Sequence, residues 1–205
     1  MEIQERILLK GDELFRKFGI RSITMDDIAK QLGVSKKTIY QHYPDKDELV
    51  IAVTKYNIDK HIEHMDMCCG PAAKDAIDEL LMVNKEVGNM IQMYNPIMFY
   101  DLQKYHPKAW VKFKEFRNKE ILEKIKQNLE RGIKEGYYRT DIDLRIISIM
   151  RLEQVDMCFN YDIYPVTEFR FDKVLMHLTE HFVYGLVTIK GHKLINQYKN
   201  IIEEL

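Results

Sequence analysis

The chain has 205 residues, 46% of them hydrophobic, which is enough to bury a real core in one or two domains. Lys and Arg number 31 against 32 acids, a net charge of −1, so a chain-wide basic field is excluded and any nucleic-acid contact must come from a local patch. Nine Gly and five Pro are too few for a turn-rich β fold, and no apolar run approaches the ~18 residues of a membrane span.

The first predicted helix covers 3–18, with Ile7, Leu8, Gly11, Leu14, Phe15 and Phe18 on one side and Gly19 beyond its end as a left-handed cap. Thr24 and Asp27 form a capping-box variant for a second helix that turns Ile28, Ala29 and Leu32 inward and stops at Gly33. Ser35 caps a short third helix to about Tyr43 with Ile39 inward, and Pro44 ends it. Asp45 and Glu48 start a fourth.

Beyond residue 50 the pattern stays helical. Gly70-Pro71, Asn95-Pro96 and His106-Pro107 each read as a break followed by a proline-led helix start. The last opens a long helix carrying Trp110, Phe113, Ile121, Leu122, Ile125, Leu129 and Ile133, ended by Gly136. Thr140 with Asp143 is the expected cap of a helix over about 141–161, and another runs over about 167–189. Gly191 is expected as a turn or kink before a terminal amphipathic helix.

The stretch from Ile28 to Tyr40 carries the strongest signal. Ala29 lets two short helices cross closely, Gly33 tolerates the turn, and Val34 and Ile39 plug the space between them. That is the layout of a helix-turn-helix, whose second helix enters the major groove of DNA. The exposed positions of that second helix, Ser35, Lys36, Lys37, Thr38, Tyr40, Gln41 and His42, all have hydrogen-bonding side chains. Between Lys30 and Lys46 there are four Lys and one Asp, a local charge of +3, whereas residues 1–48 carry nine bases and nine acids.

Residues 6–50 resemble the N-terminal domain of the TetR family of bacterial regulators, through Leu14-Phe15, Gly19, Ile23-Thr24, Ile28-Ala29, Leu32-Gly33-Val34-Ser35, Thr38-Ile39-Tyr40, His42-Tyr43, Lys46 and Leu49. Gly11 departs from the usual Ala, and Lys37 stands where Gly or Pro is frequent. The resemblance implies an all-α protein: a helix-turn-helix domain over 1–48, then a larger helical effector-binding and dimerisation domain over 49–205. It implies phosphate contacts from Thr24, Thr38, His42, Tyr43 and Lys46, base-edge contacts from Lys36 and Lys37, and mixed contacts from Tyr40 and Gln41. It also implies a homodimer through about 141–161 and 167–189, operator DNA as partner, and release by an unidentified small-molecule effector.

The middle helices are rich in soft and aromatic residues, and Met90, Met93, Met98, Phe99, Trp110 and Phe113 are candidates to line an effector pocket. Glu153, Asp101 and Asp156 are candidates to orient a polar group there. No catalytic residue, metal site, cofactor or membrane partner is expected. Two clusters compete with that expectation. His177-Leu178-Thr179-Glu180-His181 fits the H-x-x-E-H pattern of a zinc hydrolase, and His61 and His64 precede Cys68 and Cys69. An effector-independent DNA-binding regulator is a further alternative. Three cysteines, Cys68, Cys69 and Cys158, make no disulfide framework, so a reducing cytoplasmic setting is the expectation.

Overall fold

Ile7, Leu14 and Phe15 recur at helical spacing, and the computed structural model buries all three on one side of α1 (Ile3–Phe18). The structure describes residues 1–68, 72–95, 97–160, 162–165 and 167–199; at 66–68, 91 and 92 it describes the backbone alone. Gly70-Pro71, Pro96 and Cys69 lie outside the described residues.

Among the described residues ten further α-helices follow: α2 (Met25–Leu32), α3 (Lys36–His42), α4 (Lys46–Cys68), α5 (Ala76–Gln92), α6 (Ile97–Tyr105), α7 (Pro107–Phe116), α8 (Leu122–Lys134), α9 (Leu144–Met157), α10 (Phe171–Leu186) and α11 (Ile189–Tyr198). A π-helical turn at Arg117–Ile121 joins α7 to α8, so the long helix expected from His106-Pro107 is continuous but locally widened by i→i+5 bonding. Among the described residues the only β pairing is a bridge between Tyr138 and Val187. No helix of the described residues is long and apolar enough to cross a membrane.

The chain divides into two compact units, Met1–Ile62 with Ile91–Arg117, and Glu63–Met90 with Asn118–Leu205. The first has a core of Ile7, Phe15, Ile20, Ile28, Ile39, Leu49, Val50 and Val53, completed by Met98, Leu102 and Ala109 from α6 and α7. Polar groups tie that distant segment down. The Asn95 amide donates to Arg16 O (2.6 Å), Asp101 accepts the Arg21 amide (2.8 Å), and His106 Nδ1 meets Asp47 Oδ1 at 2.6 Å.

The second unit buries Ile77, Leu129, Tyr138, Phe182, Val183, Leu186 and Ile195. One polar cluster there is satisfied internally: Asn128 donates to Ala76 O (2.9 Å) and Glu79 (3.0 Å), and Arg131 pairs with Glu135 (2.8 Å) and Glu79 (3.2 Å). The Tyr138 ring lies where a side chain on residue 132 would be, so Gly132 is the residue that admits it.

Several helix starts differ from the sequence expectation, each for a local reason. Asp75 accepts the amides of Ile77 and Asp78 (2.9 Å each), so α5 begins at Ala76 rather than at Pro71. Asp143, not Thr140, caps α9 through the Ile146 amide (2.9 Å). Gly191 is no kink: it sits in the first turn of α11, its amide bonded to the Thr188 cap (3.2 Å), pressed against the Tyr137 carbonyl. Gly19 has φ 82° but ψ 155°, an extended conformation that only glycine adopts freely, rather than a left-handed helical cap.

Candidate DNA-reading face

Three buried side chains, Ile28, Ala29 and Ile39, hold α2 and α3 against one core, with Val34 and Leu32 packed partly over them. Gly33 takes the left-handed conformation (φ 66°, ψ 31°), and the Val34 amide closes the turn on Ala29 O at 3.1 Å. The capping box forms: Thr24 Oγ1 accepts the Asp27 amide (3.1 Å), and Asp27 accepts from the Thr24 amide (2.9 Å) and hydroxyl (2.6 Å). These bonds hold the Asp27 carboxyl below its usual range. Ser35 accepts the Thr38 amide at 3.1 Å and starts α3 the same way.

This scaffold turns one side of α3 to solvent. Ser35, Lys36, Lys37, Tyr40 and Gln41 are exposed, Thr38 and His42 are half-buried, and Thr24 is exposed at the start of α2. The Ser35 and Thr38 hydroxyls lie 2.8 Å apart and already bond each other, which leaves Lys36, Lys37, Tyr40 and Gln41 as the outward set. Lys36 is not idle: its Nζ meets the Asp26 carboxylate at 2.8 Å and sits 5.9 Å from the Tyr40 ring centroid. The hydrogen bond to Asp26, and then its charge, raise the Lys36 pKa.

Lys46 is half-buried at the start of α4, with Nζ 3.5 Å from Arg21 O, and burial lowers its pKa. Tyr43 differs from the other expected contacts. It is 6% exposed and its ring belongs to the core, and burial raises the phenol pKa, so the hydroxyl remains a proton donor. Two acids have roles that spacing did not indicate. Asp26 lies ten positions before its partner Lys36, and Asp101 lies 80 positions after the Arg21 amide that it fixes. Neither pairing leaves a periodic trace in the sequence.

The candidate effector residues divide between the units. Met93, Met98, Phe99, Trp110 and Phe113 belong to the first, where Trp110 stacks on Phe113 (5.4 Å), Phe99 meets Phe113 (5.8 Å), and Met98 is core. Met93 is 63% exposed. Met90 and Glu153 belong to the second, and Glu153 is exposed on α9. Asp101 is 2% exposed and committed to Arg21, while Asp156 is half-buried on α9. A shallow groove of about 360 Å³ in the second unit is lined by Tyr184, Val187, Thr188, Ile189, His192 and Lys193, none of them a candidate from the sequence.

The rival clusters are placed as follows. His177 and His181 are exposed on α10, and Glu180 is paired with Lys199. His61 packs edge-on against Phe116 (5.8 Å), and His64 reaches Glu86 at 3.4 Å. Among the described residues no three His, Cys, Asp or Glu side chains gather as metal ligands.

Residues 7–53 match the model of bacterial regulatory proteins of the tetR family. The HTH-type transcriptional regulator YvaF of Bacillus subtilis is 32% identical over 126 residues, 58% of this chain and 62% of its own length. An HTH-type transcriptional regulator of Staphylococcus aureus is 36% identical over 63 residues, 31% of this chain and 34% of the relative. The chain thus spans less than two thirds of these relatives. Among solved structures, Escherichia coli NemR in its reduced form covers 91% of this chain and 98% of its own, with TM-score 0.73 and 12% identity. FadR of Bacillus subtilis in complex with stearoyl-CoA covers 88% and 98%, with TM-score 0.68 and 19% identity. A regulator from Saccharomonospora viridis in complex with choline covers 90% and 97%, with TM-score 0.67 and 18% identity. The helical architecture of both units is therefore that of these regulators, and residues 7–53 are similar to the tetR family of bacterial regulatory proteins.

Proposed function

We propose that the protein is a dimeric transcriptional regulator that reads a palindromic operator through α3 and is released from it by a small-molecule effector. The observation that carries this reading is the outward set Lys36, Lys37, Tyr40 and Gln41 on a helix anchored by Ile39 and capped by Ser35. In this assignment Lys36 and Lys37 take base edges and Thr24, Thr38, His42, Tyr43 and Lys46 take backbone phosphates. The apolar residues Ile146, Ile149 and Met150 on α9 and Met176 on α10 are exposed in the single chain, which supports pairing of two chains through these helices. Effector control is supported by the architecture shared with regulators solved with stearoyl-CoA and with choline.

The test is selection of bound sequences from a random DNA pool at fixed salt, because such affinities depend steeply on ionic strength. A palindromic consensus is expected; failure to enrich one overturns the reading. Lys46→Ala is expected to weaken binding to all DNA alike, and Lys36→Ala to weaken it and relax the consensus as well. Equal losses on selected and random DNA for both variants would refute that division of roles.

A further inference from the structure

Within the second unit, Arg151 projects from the interior side of α9 and is 5% exposed. Its Nη2 donates to Thr179 Oγ1 at 2.7 Å, and its guanidinium lies 5.1 Å from the Phe182 ring centroid. Its Nη1 is buried and has no hydrogen-bond partner. One helical turn on, Gln154 Oε1 is likewise buried and unpartnered.

Among the described residues no carboxylate forms an ion pair with this cation. The groups that act on it electrostatically are Cys158 and Tyr138, and burial raises the pKa of both, so they are neutral. Burial lowers the Arg151 pKa only to about 10, which leaves it charged at neutral pH. Cys158, Val174 and Leu175, with Val155 and Leu178 packed against them, form an apolar cluster on and just after α9 and on α10. The Thr179 hydroxyl that accepts from Arg151 lies 2.5 Å from Asn84 Oδ1, which fixes the guanidinium between α5, α9 and α10. Buried charges in proteins are paired, and a buried guanidinium with one unmatched amino group is a receptor for a planar or tetrahedral oxyanion.

We propose that Arg151 anchors an organic anion, a carboxylate or phosphate monoester with an apolar body, inside the second unit. This rests on reading that unit as effector-binding, and it gives the effector a sign and a chemical class. The experiment is thermal unfolding of the full chain with sodium octanoate, sodium benzoate or octyl phosphate, against 1-octanol and benzyl alcohol as neutral matches. At least one anion is expected to raise Tm saturably, well beyond its neutral match; comparison of octanoate with octyl phosphate distinguishes the two headgroups. In Arg151→Met the apparent affinity for that anion is expected to fall by about 10- to 100-fold. The ligand-free variant is expected to melt higher than the parent, the opposite of what loss of a purely structural arginine would do. Arg151→Lys, which keeps the charge without the fork, is expected to retain the anion preference at reduced affinity, and it carries the test should the Met variant not fold.

Equal stabilisation by anions and their neutral matches, or an anion effect that survives in Arg151→Met, overturns the proposal. An enriched palindrome with no anion-specific shift refutes the anchor and leaves the DNA reading standing. An Arg151-dependent shift without an enriched palindrome supports the anchor and refutes the DNA reading.

Discussion

Lys36 sits where a base-reading side chain is wanted, yet in the free protein it is held by Asp26 at 2.8 Å. In the proposed role DNA must draw the lysine away from that carboxylate, so Asp26 would oppose binding twice, as a competitor for Lys36 and as a like charge to phosphate. Asp26→Asn is therefore expected to tighten binding to random DNA several-fold at low salt, with the gain shrinking as salt rises, as followed by fluorescence anisotropy. A loss of affinity would show that the pair orients Lys36 rather than restraining it. At Gly19, a Cβ would come within 2.7 Å of Ile97 on a backbone with φ 82°. Gly19→Ala is expected to cost roughly 1–3 kcal/mol or more, seen as a lowered denaturation midpoint. The exposed positions of α3 were legible in the sequence, because a cap, a turn glycine and an inward Ile lie within a few positions of one another. Asp26, Asp101 and Arg151 were not, since their roles depend on partners that only tertiary packing supplies.

At the scale of single helices, α1 and α2 offer opposite tests. Gly11 is buried in the middle of α1, and a methyl group there would lie 3.3 Å from Leu49 Cδ2, the flexible end of a side chain. Gly11→Ala is expected to gain up to about 1 kcal/mol of helix propensity, less a small adjustment by Leu49, and to raise Tm by a few degrees. Thr24→Ala removes one half of the capping box and is expected to cost about 1 kcal/mol. The other half is pH-dependent. Because the folded Asp27 carboxyl titrates below its ordinary value, its contribution is complete above the usual carboxylate range and is lost as pH falls through the lowered value. Melting curves from pH 7 to pH 3 are expected to show Asp27→Asn less stable than the parent at pH 7, with the gap closing in acid. A gap that stays constant would exclude Asp27 as its source. Helix identities were legible from apolar spacing, but starts in the second unit were less so. Thr140 and Asp143 are both good caps, and the helix starts from the later one; Gly191 reads as a breaker until its contact with the Tyr137 carbonyl is seen.

At the scale of the whole molecule, two assignments of apolar helices stand differently. The resemblance implied an interface over about 141–161 and 167–189; Ile146, Ile149, Met150 and Met176 are exposed there in the single chain, whereas Leu152, Val174, Leu175, Phe182 and Leu186 are buried within it. The methionines and aromatics of α6 and α7 predicted a pocket, yet Met98, Trp110 and Phe113 pack on the core of the unit that carries α3. Sequence pattern shows that a side chain is apolar; it does not show whether a core, a ligand or a second chain covers it. Ile149→Glu is expected to give a folded monomer in sedimentation equilibrium, with unchanged helix content and lost preference for paired half-sites. Retention of a dimer would move the interface elsewhere. The exposed row on α9 and α10 also has a quantitative consequence for control. If two chains must meet before two reading helices can engage, operator occupancy grows with the square of chain concentration below the dimer dissociation constant. Expression level then sets a threshold of its own, and a cell that halves the copy number of this protein loses more than half of the bound fraction.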